Sequence, residues 1–276
     1  MLRAGDVKHP LTGRLKDLGA QEGEEAREAG MLGFMARSLV MATLPHRDPG
    51  TREFERQNGN LTLTMMVPSR GGGLPYGTLP RLVLLWLTTE AVRTRERVLE
   101  VGPSLASFMR ELGLYRTGGK RGDITRLKDQ TRRLFSTAIS IIYEDESRCG
   151  VEHVSLVDGA LLWWHPGRSH VEGDFESTVT LTEKFFDEVV TRPVPIDLRA
   201  IKFLKRSPLA LDVYCWLTYR MSYLKAETEI PWEYLQRQFG AGYPETAQGQ
   251  RNFRKKLKGL AIEDTREEAA LMITCG

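Results

Sequence analysis

The stretch ELGLYRTGGKRGDITRLKDQTRRLFSTAISIIY, residues 111–143, decides the fold. Leu112-Gly113 closes a short helix, a basic glycine-rich turn follows, and a long helix opens at Asp123, its expected cap. Ile124, Leu127, Thr131, Leu134, Ala138 and Ile142 fall on one stripe at helical spacing. The other side carries Arg126, Gln130, Arg133 and Thr137, flanked by Lys128 and Arg132. Such a helix can sit on a core while its outer face meets phosphates and base edges. A solvated surface helix is the plainer alternative.

Upstream, Ser104 caps the short helix, which Leu105, Phe108, Met109 and Leu112 line. Before it, Pro80 opens LPRLVLLWLTTEAV, apolar almost all round and therefore a buried helix. SRGGGLPYG is loop, and the alternating Asn60 to Val67 is a strand. Met31 to Leu44 has a loose helical face that Pro45 stops. Residues 1–30 are polar, acidic and glycine-rich, and are expected to form a mobile arm. Downstream of Tyr143 the period changes to two. Val151 to Val157 and Ala160 to Trp164 read as strands about a hairpin turn at Asp158-Gly159. Strand, three helices, then a hairpin is the order of a winged helix, with the third helix reading DNA (compare).

The second half begins with a strand from Ser177 to Leu181 and a short helix from Thr182 to Val190. Asp197 caps another helix, and Ser207-Pro208 starts a longer one lined by Leu209, Val213, Leu217, Met221 and Leu224. Trp232, Leu235 and Phe239 share a helix that ends at Gly240. In RNFRKKLKGL, Phe253, Leu257 and Leu260 face in, while Arg251, Arg254, Lys255 and Lys258 face out. The helices opened by Pro80 and Pro208 answer each other, as do Arg132-Arg133-Leu134 and Lys255-Lys256-Leu257, at a nearly constant offset. The shared order points to duplication. The expected architecture is therefore α+β and mostly helical: two tandem winged-helix domains, residues 31–172 and 173–276, with small hairpin wings. The second wing is short, atypical or missing, because AIEDTREEAALMITCG offers no turn between two strands.

Net charge is only +3, but base concentrates at Arg116 to Arg133 and at Arg251 to Lys258, giving two electrostatic footprints. Cys149, Cys215 and Cys275 are too few and too scattered for a disulfide framework, and MLRAGDVKHP has no apolar core of a signal peptide. With no apolar run long enough to span a bilayer, the expectation is a cytoplasmic protein with no membrane partner. Gly113 to Lys120 misses the P-loop spacing, and Arg121 stands where Ser or Thr is required. Cys149 and His153 lack a second metal-ligand pair, and Glu144-Asp145-Glu146 reads as a solvated turn. No His-x-His exists to hold a nicking enzyme's metal, so a non-enzyme without metal or cofactor is expected. Trp163-Trp164 could stack on single-stranded bases, but packing is the simpler use.

FMARSLVMATLPHRDP, NGNLTLTMMVPSRGGGLPYGTLPRLVLLWLTTEAVRT, SFMRELGL, TGGKRGDITRLKDQTRRLF, ESTVTLTEKFF, PVPIDLRAIKFLKRSPLALDVYCWLTYRMSYL and IPWEYLQRQFG follow in order. Together they resemble the plasmid-encoded RepA-type replication initiators of proteobacteria over roughly residues 31–260. The resemblance implies a protein that binds repeats in double-stranded origin DNA, helps open the duplex, and brings in the host initiator and replicative helicase. By analogy with related initiators it implies a homodimer that converts to an active monomer. The tail from about Ala261 departs from that family's pattern. With the two basic helices, the resemblance makes Arg126, Gln130 and Arg133 base-reading candidates. Lys120 and Arg121 hold the backbone, and Thr125, Lys128 and Arg132 complete the first DNA-binding set. Arg251, Arg254, Lys255 and Lys258 form the second. A repressor of the same fold without an initiation role is the alternative.

Overall fold

The structure is a computed structural model describing residues 30–101, 109–110, 112–114, 122–162, 177–224 and 228–263. The arm before residue 30, most of the helix from Ser104, Lys120, Arg121, Trp163-Trp164 and the tail beyond Glu263 lie outside the described residues. The chain is mixed α and β, with eight helices and antiparallel sheets among the described residues. None of these helices is long and apolar enough to cross a membrane.

Helix α2 (Thr78–Thr94) lies at the centre, following β1 (Leu32–Met35), α1 (Arg37–Met41), β2 (Glu53–Asn58) and β3 (Leu61–Met66). Its apolar, nearly all-round sequence buries an unbroken run from Leu79 to Thr89. It contacts β1, β4 (Val98–Glu100) and α3 (Asp123–Phe135). The inner stripe of α3 is as expected: Leu127 and Leu134 are 0% exposed and Thr131 is buried. Each of those leucines contributes roughly 1.5–3 kcal/mol of transfer free energy. Two details differ. Gly122, not Asp123, is the cap residue, and Asp123 is the first helical residue. The helix also stops at Phe135, so Ala138 and Ile142 belong to strand β5 (Ala138–Glu144). There the isoleucine-rich run Ile139-Ser-Ile-Ile pairs with β3, which outweighs the continuing three-and-four spacing.

Strand β5 turns into β6 (Cys149–Val154) through Asp145, whose Oδ1 accepts the Ser147 N–H and Oγ–H and the Arg148 N–H at 2.8–2.9 Å. Those hydrogen bonds hold its carboxyl below the usual range. This turn, foreseen as solvated loop, joins β5 and β6 in a four-stranded sheet, β2-β3-β5-β6. Asn58-Gly59-Asn60 makes the β2–β3 turn, with Gly59 at φ +58°.

The hairpin expected around Asp158-Gly159 is a correction. Both residues lie inside β7 (Val157–Leu161), where a register shift between Val157 and Gly159 leaves Asp158 bulged. An Asp-Gly pair suits a bulge as readily as a turn, because both place the backbone off the regular pleat. Strand β7 pairs with β8 (Thr178–Leu181), and β8 lies between β7 and β4. A three-stranded sheet in that order, with α2 against β4 and α3 against α2, is the winged-helix arrangement. Of the segment between its last two strands, residues 163–176 lie outside the described residues.

The helical reading of residues 31–36 is also corrected. Leu32–Met35 is a strand, because Val194–Asp197 (β9) offers it an antiparallel edge. The remaining helices are α4 (Glu183–Thr191), α5 (Leu198–Leu204), α6 (Pro208–Tyr223), α7 (Trp232–Phe239) and α8 (Ala247–Glu263). Thr182, Asp197 and Ser207 cap α4, α5 and α6 by accepting a backbone N–H. Backbone pairing crosses the expected boundary at 172/173 twice, through β1–β9 and through β8 with β4 and β7.

Candidate nucleic-acid interface

Helix α3 presents Thr125, Arg126 and Arg132 to solvent, with Lys128 half-buried beside them. Arg126 lies 3.4 Å from Asp123 and Arg132 3.3 Å from Asp129, each one turn away. Both guanidinium groups are more than half exposed. Such pairs contribute about 0–1 kcal/mol, so either arginine can leave its carboxylate for a phosphate at little cost.

Gln130 and Arg133 are placed differently from the outward reading. Gln130 is buried, and its Oε1 accepts the Tyr76 N–H at 2.8 Å. Arg133 has Nη1 at 3.3 Å from Asp48 Oδ2 and at 3.2 Å from the Leu74 carbonyl. Its Nε is 2.8 Å from Asp129 Oδ2, an ion-pair contact without hydrogen-bond alignment. Its guanidinium also lies 5.4 Å from the Tyr76 ring centroid. The loop it grips is SRGGGLPYG. Gly72 and Gly73 have φ of +83° and +101°, and added Cβ atoms there would meet Arg132 Nη2 at 2.5 Å and Arg133 Nη1 at 2.7 Å. The glycines, read as plain loop, are what let the backbone approach α3. Gln130→Ala should therefore lower unfolding free energy by about 1–3 kcal/mol, because the Tyr76 N–H loses its acceptor. Urea denaturation measures this; unchanged stability would return Gln130 to the outer face.

Helix α8 carries the second basic set. Phe253 and Leu257 are buried, as the spacing predicts, while Arg251, Lys255 and Lys258 are exposed. Arg251 bonds Gln248, one turn back. Arg254 is half-buried, bonded to Gln250 Oε1 at 3.1 Å and lying 5.2 Å from the Trp232 centroid. Lys258 Nζ sits 5.7 Å from the same ring. Trp232 on α7 is thus a platform holding two cations of α8, a role its helical spacing alone did not show.

A buried charge cluster joins α2 to α6. Asp212 on α6 accepts Arg81 Nε at 2.7 Å and Nη2 at 2.6 Å. His46 Nε2 is 2.8 Å from the same carboxylate. Arg81 also donates to the carbonyls of Leu44, Pro45 and Gly77. Burial opposes Asp212's charge, but Arg81 outweighs it and holds the carboxyl at about 2. Burial lowers the pKa of His46, against the opposing pull of Asp212. Arg56 is buried nearby, its Nε and Nη1 without hydrogen-bond partners among the described residues, and desolvation brings it down to about 10. The sequence signal was one charged residue in each of two apolar helices, LPRLVLL and LALDVYC. A buried charge needs a partner, and these two are each other's.

The family described as plasmid encoded RepA protein matches residues 74–233. No curated protein matches the chain closely. Among solved structures, the crystal structure of RctB domains 2-3 aligns at a TM-score of 0.50 with 13% identity, covering 82% of each chain. A selenomethionine crystal structure of RctB domains 2 and 3 aligns at 0.49 with 12% identity, covering 82% of this chain and 83% of that one.

Proposed function

Because the chain belongs to the plasmid encoded RepA protein family, we propose that it is a replication initiator that binds repeated duplex sequences at its plasmid's origin. The observation that carries the DNA-binding part is the pairing of two helices, α3 and α8. Each is anchored by fully buried apolar residues, and each bears arginine and lysine on its solvent side. Arg126 and Arg132 with Thr125 and Lys128 make the first contact set; Arg251, Lys255 and Lys258 with Arg254 make the second. Buried Gln130 and clamped Arg133 set the position of α3 and the adjoining loop. Lys120 and Arg121 remain candidates for backbone contact. Opening of the duplex, recruitment of host initiator and helicase, and a dimer that converts to monomer complete the proposed role.

A minimal plasmid tests it. A circle carrying only the origin region and this gene should be maintained, and Arg126→Ala combined with Arg132→Ala should abolish maintenance while leaving the protein folded. Maintenance of the circle without an intact gene would sink the proposal.

A further inference from the structure

Strands β1 and β9 pair from Leu32↔Asp197 to Met35↔Val194. Just beyond that ladder, Arg37 opens α1 and Arg192 caps the C-terminus of α4, and both line one pocket of about 220 Å³. Like charges that line one pocket repel. No carboxylate is among the described residues lining that pocket; Glu188, whose Oε1 accepts the Ser38 N–H at 2.8 Å, sits beside it. Arg37 is half-buried, with its Nε wholly out of solvent and without a hydrogen-bond partner among the described residues. A buried orphan donor costs free energy, so it calls for an acceptor. Tyr219 contributes a phenol from α6, and Pro193 and Pro195 form apolar walls. Thr218 and Ser222 direct their hydroxyl hydrogens to their own helix carbonyls. The pocket therefore presents two guanidinium groups and apolar walls, a donor set complementary to a phosphoryl group.

We propose that the Arg37–Arg192 pocket binds a phosphoryl group, supplied either by a free nucleotide or by the DNA backbone. Neither basic helix contributes to its lining. The site is thus separate from the proposed recognition faces.

The full-length chain serves for the test, with ATP, inorganic phosphate and a random-sequence duplex as probes and adenosine as the uncharged control. Arg192→Ala removes an exposed cation, so the fold should persist, with a melting temperature no lower than wild type. Arg37→Gln retains most of the stem and removes the charge. If the source is a free nucleotide, calorimetry should show ATP binding, no adenosine binding, and a weakening of at least tenfold in both variants. If the source is DNA, ATP should bind weakly or not at all. Both variants should then weaken the random duplex about fivefold and lower the salt slope by roughly 0.9, the value for a single neutralised phosphate. Unchanged binding of every probe in both variants overturns the proposal. Because random duplex and ATP are read separately from origin DNA, failure here leaves the initiator reading intact, and failure of origin recognition leaves this site standing.

Discussion

Asp212→Ala should lower unfolding free energy by about 3–5 kcal/mol, the largest single loss expected in this protein. The substitution leaves Arg81 buried beside Arg56 with no carboxylate, and removes the partner of His46. Guanidinium denaturation at neutral pH measures the loss. Replacing Arg81 and Asp212 together with leucine or methionine should recover much of it, since a buried pair can be exchanged for apolar packing at small net cost. Equal losses in the single and double variants would show that the ion pair is not what the cluster protects. The pH dependence has a definite sign. His46 is lowered from 6.5, so its neutral form favours the fold above that value and this contribution fades on acidification. Asp212 is lowered from 3.8 to about 2, so its contribution is complete above 3.8 and is lost as pH falls through 2. Stability should therefore fall in two stages on acidification, and the lower stage should be missing in Asp212→Ala.

The second large effect concerns α8. Removing Arg251, Lys255 and Lys258 together should weaken origin-repeat binding by about a hundredfold at roughly 0.15 M salt. The slope of log affinity against log salt should flatten by about 2.7, since each phosphate left without its cation accounts for about 0.9. Stability should change little, because all three side chains are exposed and the anchors Phe253 and Leu257 remain. Fluorescence anisotropy across a salt series provides both numbers. A full salt slope with undiminished affinity would remove α8 from the interface. Weakening on the origin repeat but not on random duplex would instead show that α8 reads bases.

Local patterns carried much of the helical framework. Ser207-Pro208, Thr182 and Asp197 marked helix starts because capping is a local matter of a side-chain oxygen and a free N–H. Leu127, Leu134, Phe253 and Leu257 were legible as inward because helical spacing alone sets a face. Errors arose where a partner distant in sequence decides. Residues 32–35 are a strand only because β9 lies alongside. Ala138 and Ile142 continued a helical stripe, yet β3 claimed them. Asp158-Gly159 carried a turn signal and became a bulge beside β8. The candidate site divided the same way. Arg126, Arg132, Arg251, Lys255 and Lys258 stand outward as spacing predicts. Gln130 and Arg133 do not, because Tyr76, Leu74 and Asp48, more than fifty residues away, take up their polar atoms.

Family membership, the position of both basic helices and the side of each that packs were all readable along the chain, because order and period are local properties. Strand pairing, the basic-face residues left free for a ligand, and the meeting of Arg81 with Asp212 emerged on folding alone. Pairing edges, and acceptors for buried donors, come from parts of the chain that lie far apart until the fold brings them together.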